Sequence, residues 1–263
     1  MIVETVGGYL FRSLMLHSDA IHMFSHAAAL GVSYAAILLA SRRTSENYSF
    51  GLFRIEILGA FINGVLLVFF TVWIVYEAIH HIAHPEHIRV KEMFIVAVLG
   101  LFVNLGTAVI LYRSGVEDLN TKSAFLHMLG DTLSSIGIVV GAGVVWLTGW
   151  TIIDPLLSLV IALVIGRWAH SLLRDSIRIL MERKPDGIDL DEVKESMRAR
   201  SPEEVKVADL HIWEITSQYV CLSARLEVKD MSVQEASHLR IALAEELRDR
   251  FGIAHATLWF VES

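Results

Sequence analysis

A single cysteine, Cys221, stands among 263 residues, so no internal disulfide can form. No run of lysine and arginine of the kind that binds nucleic acid is present, and no nucleic-acid partner is expected. The opening stretch, MIVETVGGYLF, has neither a basic leader nor a small-residue cleavage site, and it is not read as a signal peptide. Internal repeats and low-complexity segments are missing as well. Charged residues make up 19% of the chain, whereas 54% is apolar and the mean hydropathy is +0.53. That excludes an ordinary soluble domain.

The charge is unevenly placed. Residues 1–184 hold thirteen acidic and thirteen basic groups, while residues 185–263 hold sixteen acidic and nine basic, so the net −7 lies in the tail. The expectation is a membrane part, 1–184, and an acidic soluble part, 185–263. A helix needs about 20 apolar residues to cross the hydrocarbon core. Five segments qualify: 14–40, 55–79, 93–112, 123–147 and 152–173. A shorter piece, 2–11, amounts to half a span. Arg42, Arg43 and Arg54 fall in one loop, Arg113 and Lys122 in a second on the same side, and Arg174, Arg178, Arg183 and Lys184 follow the last span. The positive-inside rule places that side, and the tail, in the cytoplasm.

The tail changes period. Leu190–Arg200 reads as an amphipathic helix, Val205–Ile215 and Tyr219–Val228 as alternating strands, Ser232–Phe251 as a helix and His255–Val261 as a last strand. The order αββαβ predicts a small open sheet with helices on one face.

Two pairs carry chemistry at membrane depth. His22 and His26 are four residues apart in the first full span, and His127 and Asp131 repeat that spacing in the fourth. Residues i and i+4 share a helix face. The two helices packed together would offer three imidazoles and one carboxylate, a tetrahedral set suited to zinc and open to cobalt or nickel. Ionisable groups at that depth are costly and face the bundle interior. The plainer alternative is a pair of buried histidines hydrogen-bonded to neighbouring helices. Two enzyme classes use histidines at such spacing. A zinc metalloprotease needs His-Glu-x-x-His, and the second position here is Met23, with no such motif elsewhere. A membrane di-iron oxygenase would use His22-x-x-x-His26 and His80-His81-x-x-His84, but His127 and Asp131 would be left unexplained.

The stretches SLMLHSDAIHMFSHAAALGVS, YSFGLFRIEILGAFINGVLLVFFTVWIVYEAI, FLHMLGDTLSS, DPLLSLVIALVI and DLHIW, in that order, resemble the cation diffusion facilitator family over nearly the whole chain. The resemblance implies an α-helical membrane protein. Its transmembrane part would be a six-helix bundle with the first helix shortened here. Its C-terminal domain would be a cytoplasmic α+β, metallochaperone-like αββαβ unit that dimerises. It also implies a homodimeric exporter in the lipid bilayer that exchanges Zn2+, or Co2+, Ni2+, Cd2+ or Fe2+, for protons by alternating access, and not an enzyme. A bacterial inner membrane is the expected location. His22, His127 and Asp131 match family ligands; His26 stands where the family usually has aspartate. A non-transporting, membrane-anchored metal sensor is the alternative. Glu4-Thr5-Val6-Gly7-Gly8 aligns with the end of the family's first helix, so a late start or a shortened chain is expected.

Further candidates each have a plainer reading. Asp19 would orient His22 as an acceptor, or be a charge at a helix start. Asn104 would approach the metal path, or bond between helices. His80 and His84 would form an outer-face metal site, or a solvated cluster together with His81 and His87. His211, Cys221, His238 and His255 would bind metal in the tail. Asp154-Pro155 reads as a helix start without a transport role.

Overall fold

A computed structural model describes residues 1–40, 48, 50–85, 88–113, 119–201, 205–216 and 219–262; side chains at 29, 30, 33, 36, 37, 39, 40, 119–124, 126 and 127 lie outside the description. The His87 expectation and the side chain of His127 therefore fall outside it. Six helices come first: α1 (Ile2–Phe11), α2 (Leu14–Ala40), α3 (Arg54–Ala83), α4 (Val90–Arg113), α5 (Leu119–Thr148) and α6 (Ile153–Leu180). Within the described residues, α3, α4, the Met128–Thr148 part of α5 and α6 are long and apolar enough to cross a membrane. The tail follows as α7 (Leu190–Arg200), β1 (Lys206–Thr216), β2 (Tyr219–Val228), α8 (Val233–Phe251) and β3 (Ile253–Glu262). The expected αββαβ order is observed. The main difference is at helix ends: α3 runs a turn further and carries His80 and His81, and α6 continues to Leu180. Both extensions are polar and lie beyond the apolar core that the sequence reading could see.

The described chain forms two compact units, Met1–Gly31 with Ile62–Leu172, and Val32–Phe61 with Leu173–Ser263. In the first, α1 stops at Arg12, which takes the left-handed conformation (φ 55°) and donates its N–H to Gly8 O. The chain turns at once into α2. A Cβ at Gly8 would sit 3.0 Å from the His17 nitrogen, so glycine lets α1 approach the start of α2 this closely. Met15, Leu16, Met93, Ile138 and Ala142 form an apolar core at the same end. Many other large side chains point outward: Phe69, Phe102, Val103 and Leu163 are all exposed. A water-soluble fold does not expose apolar surface on that scale; a bilayer-facing bundle does.

In the second unit the sheet order is β1-β2-β3, with β1 and β2 antiparallel and β2 and β3 parallel. A parallel pair needs a crossover, and α8 supplies it. Leu222, Ala224 and Leu226 of β2 pack with Val193 and Met197 of α7 and Leu243 and Leu247 of α8. The helices are well terminated. Asp189 caps α7 by accepting from Asp191 N, and Ser232 and Glu235 form a reciprocal capping box on α8, which ends at Gly252 (φ 68°). The opposite face of the sheet meets the residues before and at the start of α3. Phe53 stacks on Tyr219, the Phe50 ring meets His255 edge-on, and Arg54 Nη2 donates to Glu182 Oε1 at 2.7 Å.

Candidate metal centre

His22 and His26 occupy successive turns of α2, and their Nε2 atoms are 3.4 Å apart. Across from them, α5 brings the Asp131 carboxylate to 3.2 Å from His22 Nε2. Ligand atoms of the three residues all lie within 4.8 Å of one another, and no other such cluster occurs among the described residues. His22 and Asp131 are each 6% exposed, and His26 is half-buried. Two ligands bound at about 2.0–2.1 Å to a tetrahedral ion stand about 3.3 Å apart. The observed 3.2 and 3.4 Å separations match that spacing. His127 lies one turn before Asp131 on α5 and so shares its helix face.

Neighbouring groups hold this arrangement. The Ser25 hydroxyl donates to His22 O, and Asn63 of α3 donates to Ser25 O at 3.4 Å, tying α3 to the ligand turn. Trp168 of α6 lies against both imidazoles, with ring centroids 5.0 Å from His22 and 5.7 Å from His26. Sequence reading missed Trp168. Its only signal is a lone indole between Arg167 and His170 near the polar end of a span, and nothing in that pattern says which helix it faces.

The remaining candidates separate. Asp19 is buried and acts electrostatically on His22. The expected orienting hydrogen bond is not made, because His22 Nδ1 has no hydrogen-bond partner among the described residues. Asn104 donates to Ser135 Oγ at 2.8 Å, bonding α4 to α5. Asp154 does more than start a helix. Fully buried, it accepts from the Ser13 hydroxyl (2.6 Å), Leu14 N (2.8 Å) and Met15 N (3.3 Å), so a carboxylate of α6 caps the N-terminus of α2. Glu4 of α1 is buried against Gly100 of α4, where a Cβ would overlap its carboxylate. His80 and His84 are exposed, their rings stacked 4.9 Å apart.

In the tail, Cys221 and His255 are neighbours in register on β2 and β3. His211 pairs with Ser223 on β1 and is exposed, and His255 shares a 3.3 Å contact with the Thr257 hydroxyl. His238 is exposed on α8, which packs on the other face of the sheet. The four do not converge on one point. Cys221 is fully buried, and burial pushes its thiol above the ordinary value.

The pattern of the cation efflux transmembrane domain matches residues 1–181, and that of the cation efflux protein cytoplasmic domain matches residues 185–258. The chain belongs to the cation efflux, or cation diffusion facilitator, family. Among relatives of this family, the cadmium, cobalt and zinc/H(+)-K(+) antiporter of Bacillus subtilis is 36% identical over 261 residues, covering 98% of this chain and 83% of that protein. The metal cation efflux system protein CzcD of Cupriavidus metallidurans is 37% identical over 260 residues, 99% of this chain and 82% of that protein. The zinc transporter ZitB of Escherichia coli is 36% identical over 259 residues, 98% and 82% respectively.

Proposed function

We propose that this cation efflux family member exports divalent transition-metal ions, zinc foremost, in exchange for protons. The ion is held by His22, His26, His127 and Asp131. The observation that carries the reading is the His22–His26–Asp131 cluster between α2 and α5, with His22 at tetrahedral spacing from each of the other two. The names of the relatives, which specify zinc, cobalt and cadmium, support the same class of ion. The imidazole pair replaces water around the ion with nitrogen ligands, and protons taken up by the imidazoles as the bundle rocks release it. The chain divides into a transport part, 1–184, and a cytoplasmic part, 185–263, through which two copies pair; the cytoplasmic-domain match supports that pairing. A bacterial inner membrane is the proposed location, in keeping with the bacterial relatives. The reaction is translocation, with no bond made or broken in a substrate.

The decisive measurement is zinc flux into sealed proteoliposomes with and without a proton gradient, for the unaltered chain and for His127→Ala. Gradient-dependent flux that His127→Ala abolishes is expected. Zinc binding without flux would overturn transport in favour of a membrane-anchored sensor.

A further inference from the structure

We propose that Trp168 of α6 is a positioning residue for the His22 cluster. Its indole pins the imidazoles of His22 and His26 at the spacing of a four-coordinate ion, and so favours ions that accept four ligands over ions that demand six. The proposal rests on that cluster being where the ion binds. The three rings form a closed triangle. His22 and His26 meet edge to face, with centroids 4.6 Å apart at 81°. The indole lies 5.0 Å from His22 at 39° and 5.7 Å from His26 at 66°. The outer torsion of a histidine is broad and roughly twofold, so an imidazole turns readily unless a neighbour blocks it. Within the triangle each imidazole has the indole and the other imidazole against it, and neither turns far without striking one of them.

The indole is held in its turn by a seated helix. Ile165 and Ala169, on either side of it in sequence, are buried and pack with Leu67 of α3. A Cβ at Gly166 would stand 3.1 Å from Thr71 Cγ2, so α6 lies close on α3 here. Trp168 itself is 42% exposed, which sets it apart from the core residues beside it. The consequence is chemical. His22 Nε2 stands 3.4 Å from His26 Nε2 and 3.2 Å from Asp131 Oδ1, the spacing of a tetrahedral ion. A six-coordinate ion takes in water and draws its ligands toward right angles, and an imidazole that cannot turn resists that change. Zinc suits the pinned set; manganese and magnesium, which prefer octahedral oxygen ligands, do not. Without the indole, His26 is released to turn away and water takes its place on the ion.

The test uses the full chain in detergent with Co2+ as the probe, because four-coordinate Co2+ absorbs visible light far more strongly than six-coordinate Co2+. The chain carrying His22→Ala with Asp131→Ala is the blank for binding elsewhere. Intense bands above that blank are expected for the unaltered chain and for Trp168→Phe, which keeps a ring against the imidazoles. In Trp168→Ala they are expected to give way to the weak six-coordinate spectrum. Zinc competing with a chelator should bind that variant about tenfold more weakly, the lower end of what outer partners of metal ligands contribute. Should Trp168→Ala fail to purify as a monodisperse protein, Trp168→Leu gives the same comparison. Intense bands that persist in the variant without the ring, whatever its Tm, would overturn the positioning role and leave the cluster as the binding site. Absence of intense bands in the unaltered chain would overturn both, so the two failures are told apart.

Discussion

In the proposed transport reading, the choice of ion turns on His26. An aspartate there would give the cluster two carboxylates; histidine leaves one, Asp131, with imidazoles around it. Imidazole favours zinc, cobalt and nickel, and carboxylate favours manganese and magnesium. His26→Asp is therefore expected to raise manganese competition against zinc in a flux assay. Unchanged competition would mean that the imidazole at 26 is not a ligand. Trp168 touches both rings, so part of the alignment of His26 is set from α6. Cys221 makes a contrasting prediction. Its thiol is fully buried and held protonated by that burial. Since the folded-state pKa is raised, the stabilisation is present at neutral pH and fades as pH climbs past the ordinary thiol range. Below that range a thiol reagent should react only as fast as the tail opens. Rapid labelling of the native protein would contradict the packing.

At the scale of elements, α2 owes its start to a residue 140 positions away in sequence from Leu14. Asp154→Ala leaves three buried donors unpaired, and each costs about 1–3 kcal/mol. The expected loss is about 3 kcal/mol or more, read as a lowered Tm in detergent, with zinc flux reduced because His22 stands on the third turn of the same helix. The α4–α5 contact is less demanding. Membrane hydrogen bonds average about 0.6 kcal/mol, so Ser135→Ala should change stability little and leave metal binding intact. In the tail, Ser232→Ala removes the capping box of α8 and should cost about 1 kcal/mol of tail stability in urea unfolding. Glu235 is held below its usual carboxylate range by hydrogen bonds from Ser232. The stabilisation that follows is present above the ordinary carboxylate range and is lost as pH falls through the lowered value.

For the whole molecule, the outward Phe69, Phe102 and Leu163 mean that the folded bundle exists only with lipid or detergent around it. With an ion held as proposed, its stability is coupled to that ion. Ligand at one hundred times its Kd stabilises a folded protein by about 2.7 kcal/mol. Zinc should therefore raise the Tm of the unaltered chain in detergent and leave that of Asp131→Asn unmoved. An equal rise in both would place the main binding energy outside the His22 cluster. Two compact units in one chain allow the transition to resolve into two steps, and the zinc effect of the cluster belongs to the step of Met1–Gly31 with Ile62–Leu172.

Much of this was readable along the chain. Apolar length alone marks the helices, because a span must cover the hydrocarbon core. The fourfold spacing of His22 with His26 and of His127 with Asp131 puts each pair on one face, because a helix has 3.6 residues per turn. The period-two pattern of Tyr219–Val228 and the turn to α8 announce the αββαβ tail. What one helix presents to another is a different matter, since the relative rotation of packed helices depends on every side chain between them. Only the tertiary structure brings Asp131 to His22, lays Trp168 over both imidazoles, sends Asp154 to cap α2 and leaves Asp19 without the bond to His22 that its spacing suggested. Local spacing determined which residues share a face; packing across the bundle decided which faces meet.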